Sequence, residues 1–288
     1  LFSFVIAIPI FLAQAGGFSG MAASFEAMGK PEHMNFFGVY STMDIINFCL
    51  PPFLLIMGDA NMYQRFFASK DAKGAEQSTK VLIFAVLLAE LMIIFSAWVA
   101  SSMIPDAEVG KYVLIYAAHK LLPTFLGAIM MTTIVGIIIS TADSFLLVPA
   151  TTLMRDVYLN YINPNADEKK IVLLSRLLVL GLGIIAYIVS LGFAKSAGFF
   201  ERALYAYTIY GAAITPSLVA ALFWKGATKE GAVASIITGT VTTLLWKEAA
   251  FIQTIIPQNI YNNMDEVLPA ITLSVVSLVV VSLLTKKN

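Results

Sequence analysis

Hydrophobic residues along this 288-residue chain gather into long runs separated by short polar stretches. Runs long enough to cross a bilayer, or close to it, fall at about 1–15, 43–57, 81–104, 121–154, 171–193, 203–224, 231–246 and 267–284. In hydrocarbon every backbone N–H and C=O must be satisfied within the protein, so such runs are predicted as helices. A membrane β-barrel would need strands of about ten residues with alternating polarity, which is not the pattern here. The expected fold is an all-α integral membrane protein, a single transmembrane domain of about eight helices. The first run begins at Leu1 with no basic start or cleavage signal and covers about 22 Å, short of a roughly 30 Å hydrocarbon core. It reads as the end of a span, and the sequence as a C-terminal fragment truncated at its N-terminus.

Composition sharpens this reading. The chain is 59% hydrophobic and 12% charged, whereas a soluble domain carries about 25% charged residues. Its 18 basic residues balance 18 acidic ones, so no basic field exists to hold nucleic acid. A lone Cys49 excludes a disulfide framework and a cysteine zinc site, and His33 and His119 form no metal-binding pair. No cofactor is expected, nor any Gly-rich phosphate loop or nucleophile–base pair. Twelve Lys and Arg residues fall in the connections around 58–80, 155–176 and 225–230 and in the tail, against six around 16–42, 105–120, 194–202 and 247–266. The excess predicts a cytoplasmic first set and a cytoplasmic C-terminus. Trp224-Lys225 and Trp246-Lys247 read as interface anchors, and Gly16-Gly17 as a helix stop.

Two spans are irregular. The second contains Asn47-Phe48-Cys49-Leu50-Pro51-Pro52. Proline lacks a backbone donor and clashes with the preceding turn, so the pair is expected to break the helix at membrane depth. Broken helices near the midplane are where secondary transporters bind substrates and ions, although a proline kink can also serve packing alone. The fourth span carries Thr132-Thr133, Ser140-Thr141-Ala142-Asp143-Ser144 and Thr151-Thr152. At about 100° per residue, Thr133, Ser140, Ser144, Thr151 and Arg155 share a stripe, with Asp143 on the adjoining face. Such hydroxyls also act as packing glue or bond their own helix. A carboxyl at this depth costs at least ~2.5 kcal/mol on insertion scales, and hydroxyl, carboxylate and carbonyl oxygens are what a hard cation prefers. A neutral, protonated Asp143 is the alternative. Glu90 and Asp44 read as structural, Asp44 by snorkelling or capping, and Tyr205, Tyr207 and Tyr210 as able to line a cavity.

Three motifs resemble one family. The run Gly58-Asp59-Ala60-Asn61-Met62-Tyr63-Gln64-Arg65-Phe66-Phe67, with Ala68-Ser69-Lys70-Asp71, resembles the segment after the seventh helix of sodium:solute symporters. Ser140-Thr141-Ala142-Asp143-Ser144, running on to Arg155-Asp156-Val157-Tyr158, is similar to their ninth helix, and Phe223-Trp224-Lys225-Gly226 to their junction of helices eleven and twelve. The resemblance implies a LeuT-like core of inverted five-helix repeats, with this chain spanning helices six to thirteen. Residues 1–15 would end the first repeat, 43–224 would form the second, and 231–285 two peripheral helices. It implies a sodium site with side-chain oxygens from Ser140 and Thr141 and the Ile137 carbonyl. A second sodium site of some members uses hydroxyls at the positions of Asp143 and Ser144, one of which is here a carboxylate. Solute contacts are implied at Asn47, Phe48, Pro51, Pro52 and Tyr207. The expected partners are sodium as coupling ion, a small organic solute (an amino acid such as proline, a carboxylate or a sugar), the lipid of a bacterial inner membrane, and the missing N-terminal helices. The expected activity is sodium-coupled symport by alternating access and not an enzymatic one. Proton coupling through Asp143, a symporter-like sensor or scaffold, and an intramembrane hydrolase are the alternatives.

Overall fold

A computed structural model describes residues 1–105, 112–193 and 199–286. Lys111, Lys195 and Lys287, three of the basic residues in the charge count, lie outside them. Among the described residues there is no strand. The longer elements are α1 (Phe2–Gln14), α2 (Gly17–Ala27), α3 (Thr42–Gly58), α4 (Ala60–Phe67), α5 (Ala72–Ser101), α6 (Val113–Lys120) and α7 (Thr124–Thr152). They continue with α8 (Glu168–Phe193), α9 (Phe199–Phe223), α10 (Lys229–Glu248), the short α11 (Ala250–Ile255) and α12 (Gln258–Asn263), and α13 (Val267–Thr285). All eight apolar runs are therefore helical. Among the described residues six candidate spans qualify by length and composition, or seven if the bent pair α1–α2 is one span. The remaining run, α10, carries Ser235, Thr238, Thr240, Thr242 and Thr243 and is less apolar for that reason.

The chain divides into two compact units, Leu1–Val39 with Arg65–Val179, and Tyr40–Gln64 with Leu180–Asn288. In the first, Phe4, Ala7 and Phe11 recur on one face of α1 and pack with Met21 and Phe25, Val99 and Ala100, Ala117 and Ala118, and Met130. Gly16 and Gly17 take φ of +76° and +71°, a left-handed backbone that turns α2 by 65° from α1. Gln14 Nε2 donates to Leu121 O at 2.7 Å, and Ser3 Oγ to Thr133 Oγ1 at 3.1 Å. The chain after α7 continues as a π-helix, Leu153–Ile162, which changes the phase of the stripe, so Arg155 does not continue the α-helical register.

In the second unit α10 packs on α13 and on α9; it buries Gly231, Ser235, Gly239, Thr243 and Trp246, and α13 buries Val267, Ala270, Ser274, Leu278 and Ser282. Small residues at this spacing let helix backbones approach, which replaces the hydrophobic drive that lipid cannot supply. A Cβ on Gly239 would lie 2.6 Å from Ala212 O of α9. Ser235 and Ser274 hydroxyls meet at 2.8 Å, and Thr228 and Thr285 hydroxyls at 2.7 Å. Helix α9 also packs on α3. Ser41 and Asp44 cap α3 reciprocally, with Asp44 N donating to Ser41 Oγ at 3.2 Å and Ser41 N to Asp44 Oδ2 at 2.8 Å. The capping reading of Asp44 is the one the fold uses.

Candidate functional site

The five residues expected at the ion site lie on α7, in the first unit. Thr141 Oγ1 donates to Ile137 O at 3.0 Å, and Ser144 Oγ to Ser140 O at 3.2 Å. These are bonds of each hydroxyl to the carbonyl four residues back. Each spends the hydroxyl proton inward and leaves the oxygen lone pairs for an outside partner. Thr141 Oγ1 keeps its lone pairs, while Ile137 O is engaged by the Thr141 hydroxyl and by its own helix and would have to give up one of these bonds to meet an ion. Helical rotation sets Ile137, Ser140, Thr141 and Ser144 on one face, with Asp143 about 60° beyond Ser140. Ile137, Ser140, Thr141 and Asp143 are exposed, and Ser144 is half-buried. Asp143 makes no hydrogen bond or ion pair among the described residues. One turn before Ile137 on the same helix, an open groove of about 340 Å3 is lined by Phe125, Ala128, Ile129, Thr132 and Thr133. No group of three or more His, Cys, Asp or Glu among the described residues is placed to hold a metal ion. The side chains of Ser140, Thr141, Asp143 and Ser144 bring hydroxyl and carboxylate oxygens, the ligand types of hard cations, to this stretch of α7.

The residues expected at the solute site belong to the second unit and stand on α3 and α9. Asn47 and Pro51 are buried on the α3 face that also buries Leu54 and Gly58. Phe48 is half-buried, its ring 5.2 Å from Tyr40 and 5.8 Å from Phe200. Pro52 and Tyr207 are half-buried, and Tyr207 lies one turn before Gly211, where α9 meets Leu54 of α3. Asn47 Nδ2 donates to Asn263 O at 3.2 Å. A carbonyl accepts only, so that bond fixes the amide orientation and leaves Oδ1 inward. Asn47 Oδ1 is buried without a partner among the described residues. Pro51 and Pro52 have no N–H to return to the carbonyls of Asn47 and Phe48, so unused acceptors gather on this turn.

The break itself is not at the prolines. Helix α3 runs unbroken from Thr42 to Gly58 with Pro51 and Pro52 inside it. Two adjacent prolines cost two donors, but packing of α3 on α9 holds the helix through them, as membrane bundles permit. The chain leaves the helix seven residues later, at Asp59, with φ −71° and ψ 112°. Gly58 is required there because a Cβ would run into Thr215 Oγ1. Asp59 Oδ1 then accepts from Asn61 N at 3.0 Å and starts α4. Tyr210 OH donates to Gly58 O at 3.3 Å and accepts from Ala60 N at 3.4 Å, while Thr215 Oγ1 donates to Leu54 O at 2.6 Å. Tyr210 was readable only as a possible cavity residue; Gly58-Asp59, a helix stop followed by an N-cap, was the available signal for this hinge. Trp246 is also not an exposed anchor: it is buried, stacks on Tyr261 with centroids 5.8 Å apart, and donates to Met264 O at 3.2 Å.

Helices alone among the described residues, six of them long and apolar enough to cross a bilayer, are what an integral multi-pass membrane protein requires. The family model for the sodium:solute symporter family matches residues 1–239, and the chain belongs to that family. It is 25% identical over 292 residues to the osmoregulated proline transporter OpuE of Bacillus subtilis (strain 168), covering 100% of this chain and 57% of that protein. It is 25% identical over 294 residues to the high-affinity proline transporter PutP of the same organism, covering 99% of this chain and 59% of the relative. A sodium/proline symporter of Haemophilus influenzae is 28% identical over 178 residues, covering 62% of this chain and 34% of its own length. The chain thus spans about half the length of the curated relatives it matches.

Proposed function

We propose that this chain is the C-terminal part of a sodium-coupled symporter of a bacterial inner membrane, with a small amino acid such as proline as solute. On this reading residues 1–15 close the first repeat, 43–224 form the second, 231–285 are peripheral, and the C-terminus is cytoplasmic. The observation that carries the reading is the Thr141 hydroxyl, whose proton is bonded to Ile137 O at 3.0 Å and whose oxygen lone pairs stay open on an exposed residue of an apolar helix. Sodium is the coupling ion. Ile137 O, Ser140 Oγ and Thr141 Oγ1 supply part of its shell, and Ser144 with Asp143 part of a second position. N-terminal helices of the same protein complete both. Solute is held at Asn47, Phe48, Pro51, Pro52 and Tyr207. The buried Asn47 Oδ1 asks for an N–H donor, which an amino acid's ammonium group provides, and the apolar faces of the prolines and Phe48 suit a compact hydrocarbon ring.

Coupling follows if sodium binds the solute-competent state more tightly than its alternative. The membrane potential adds about 2.3 kcal/mol per 100 mV for each charge moved inward. No bond is made or broken in this cycle. Relatives named as proline transporters and sodium/proline symporters support both coupling ion and solute class. A second reading, proton coupling, is favoured by one observation: Asp143 replaces a hydroxyl expected at the second ion position and has no partner on its own helix.

The test is thermal stability of the full-length protein across a NaCl titration, with choline chloride holding ionic strength. A ligand bound only by the folded state adds RT ln(1 + [L]/Kd), about 1.4 kcal/mol at ten times Kd. A saturable, sodium-selective rise that Thr141→Ala abolishes is the expected outcome. Identical curves in sodium and choline would remove the sodium site. A rise that instead follows pH and vanishes in Asp143→Asn would transfer coupling to protons.

A further inference from the structure

One end of the second unit carries a segment that meets the residues assigned to solute only at Asn47. Residues 257–266, which contain α12 and the link into α13, are tied to the rest of the second unit by three separate bonds. Asn47 Nδ2 of α3 donates to Asn263 O at 3.2 Å, Trp246 Nε1 of α10 donates to Met264 O at 3.2 Å, and Tyr261 OH donates to Trp246 O at 3.2 Å. The Tyr261 ring also stacks on Trp246. These bonds place Glu266 at the start of α13 with only 5% of its surface exposed.

Glu266 is buried in poor company for a carboxylate. Asp265 precedes it on the same segment, and its own backbone N–H is a donor to it. From α9 it faces Glu201 and Tyr205, and from α10 Lys247, with Glu248 close to Tyr205. Asp44 at the start of α3 acts on Asp265. Arg202 follows Glu201 on α9. Lys247 is set against Asp265 and Glu201 in acting on Glu266. Burial pushes the Glu266 carboxyl above its ordinary 4.5, with Asp265 and Glu201 adding to the rise; its backbone N–H and Lys247 oppose it and lose. Asp265, with a more open surface, is raised from 3.8, first by burial and then by Glu201 and Asp44 against Lys247.

We propose that residues 257–266 are a pH-controlled strap across this end of the second unit, docked when Glu266 is protonated and loosened when it ionises, with Asn47 as its latch. The sign follows from proton linkage. The docked strap holds a proton on Glu266 that the released strap gives up, in a window that opens near pH 4.5 and extends upward. Docking is complete below that window and weakens as pH rises through it. The released state exposes Glu266 to water, frees the Asn263 carbonyl and returns both sides of the Asn47 amide to the bundle interior. If Asn47 contacts solute, the strap decides whether its N–H2 is available; that consequence rests on the symport reading, whereas the strap does not.

Amide hydrogen exchange on the full-length protein, from pH 4 to 8 and corrected at each pH for the intrinsic chemical rate, reads the strap directly. In the wild type the protection of residues 257–266 should fall as pH rises, by roughly tenfold for each unit separating the docked and released carboxyl pKa values, while α13 beyond residue 270 stays constant. Glu266→Gln should keep the low-pH protection throughout. Asn47→Ala should lose strap protection even at low pH. Flat wild-type protection, or Glu266→Gln following the wild-type slope, overturns the proposal; the wild-type profile decides even if a variant fails to fold. Sodium-dependent stabilisation is measured separately, so its absence with an intact strap transition defeats the symport reading alone.

Discussion

Helix α7 of the first unit and the α9–α10–α13 cluster of the second carry the same hydroxyl-bearing residues, and they differ in how many reach a neighbouring helix, although Thr243, Ser277 and Thr285 of the cluster also donate to carbonyls of their own helix. On α10 and α13 the hydroxyls reach across helices: Ser235 to Ser274, Thr228 to Thr285, and Ser217 of α9 to Ala232 O at 3.2 Å. On α7, Thr132, Thr133, Thr141, Ser144 and Thr151 each donate to a carbonyl of their own helix. Only Thr133 among these also receives a partner from another helix, Ser3. The difference lies in the neighbours. Where glycine and serine let two helices touch, a hydroxyl becomes part of the packing; where no small-residue seam exists, it bonds locally and its lone pairs stay open. A hydroxyl stripe on a membrane helix is therefore a ligand candidate when it lacks a seam, and structural glue when it has one.

The largest effect should come from filling the seam. Gly239→Leu puts a branched side chain where even a Cβ would lie 2.6 Å from Ala212 O. Overpacking of this kind costs about 1–3 kcal/mol or more, and we expect a loss of folded protein measurable by thermal unfolding in detergent. The corresponding change at Gly136 of α7, which has nothing within 4 Å of its Cβ position, should be tolerated far better. Equal damage at the two glycines would break the distinction between the helices. Next in size is Thr215→Val, which removes the 2.6 Å bond to Leu54 O next to the α3 hinge. Valine keeps the volume, and Leu54 O retains the helix's own donor at Gly58, so the loss should be about 1 kcal/mol in chemical or thermal unfolding.

Smaller again is the coupling between Ser235 and Ser274. Interhelical hydrogen bonds in membranes average about 0.6 kcal/mol by double-mutant cycle, since the unfolded helices also find partners in the bilayer. A Ser235→Ala, Ser274→Ala cycle should return a value of that order. A coupling near zero would mean that the seam is held by close packing alone and that its hydroxyls are as spare as those of α7.

How much of this was legible follows the physics that sets each feature. Helices were readable because lipid forbids anything else to runs such as 267–284, and the Gly16-Gly17 turn because two glycines tolerate positive φ. The Asp44 cap was readable because Ser41 stands three residues before it. The hinge of α3 was misplaced by seven residues. Proline's local penalty argued for residues 51–52, but the outcome depended on the tertiary fit of Gly58 under Thr215, which no local pattern reports. Trp246 was misread for the same reason, since Trp-Lys at a span end suits an interface anchor as well as a buried stack on Tyr261. Four of the ion-site residues were legible as chemistry, the oxygen-bearing side chains of Ser140, Thr141, Asp143 and Ser144, whereas Ile137 entered only through the family resemblance and the bond directions needed coordinates.

The smallest effect tests the comparison most strictly. Thr141→Val removes one hydroxyl from α7 at nearly constant volume. In choline, with no sodium present, the cost should be within about 0.5 kcal/mol, the usual range for an exposed position outside any seam. Thr141 Oγ1 bonds only its own helix, at Ile137 O, and that carbonyl keeps its regular intrahelical partner in the variant. If Thr141→Val instead costs as much as Thr215→Val in choline, the hydroxyl is already engaged in folding, and its oxygen is not spare for an ion. If the basal cost is negligible while the sodium-dependent gain in stability disappears, the same substitution separates the two roles of a membrane hydroxyl within one molecule, because a group that contributes nothing to the empty fold contributes only through what it binds.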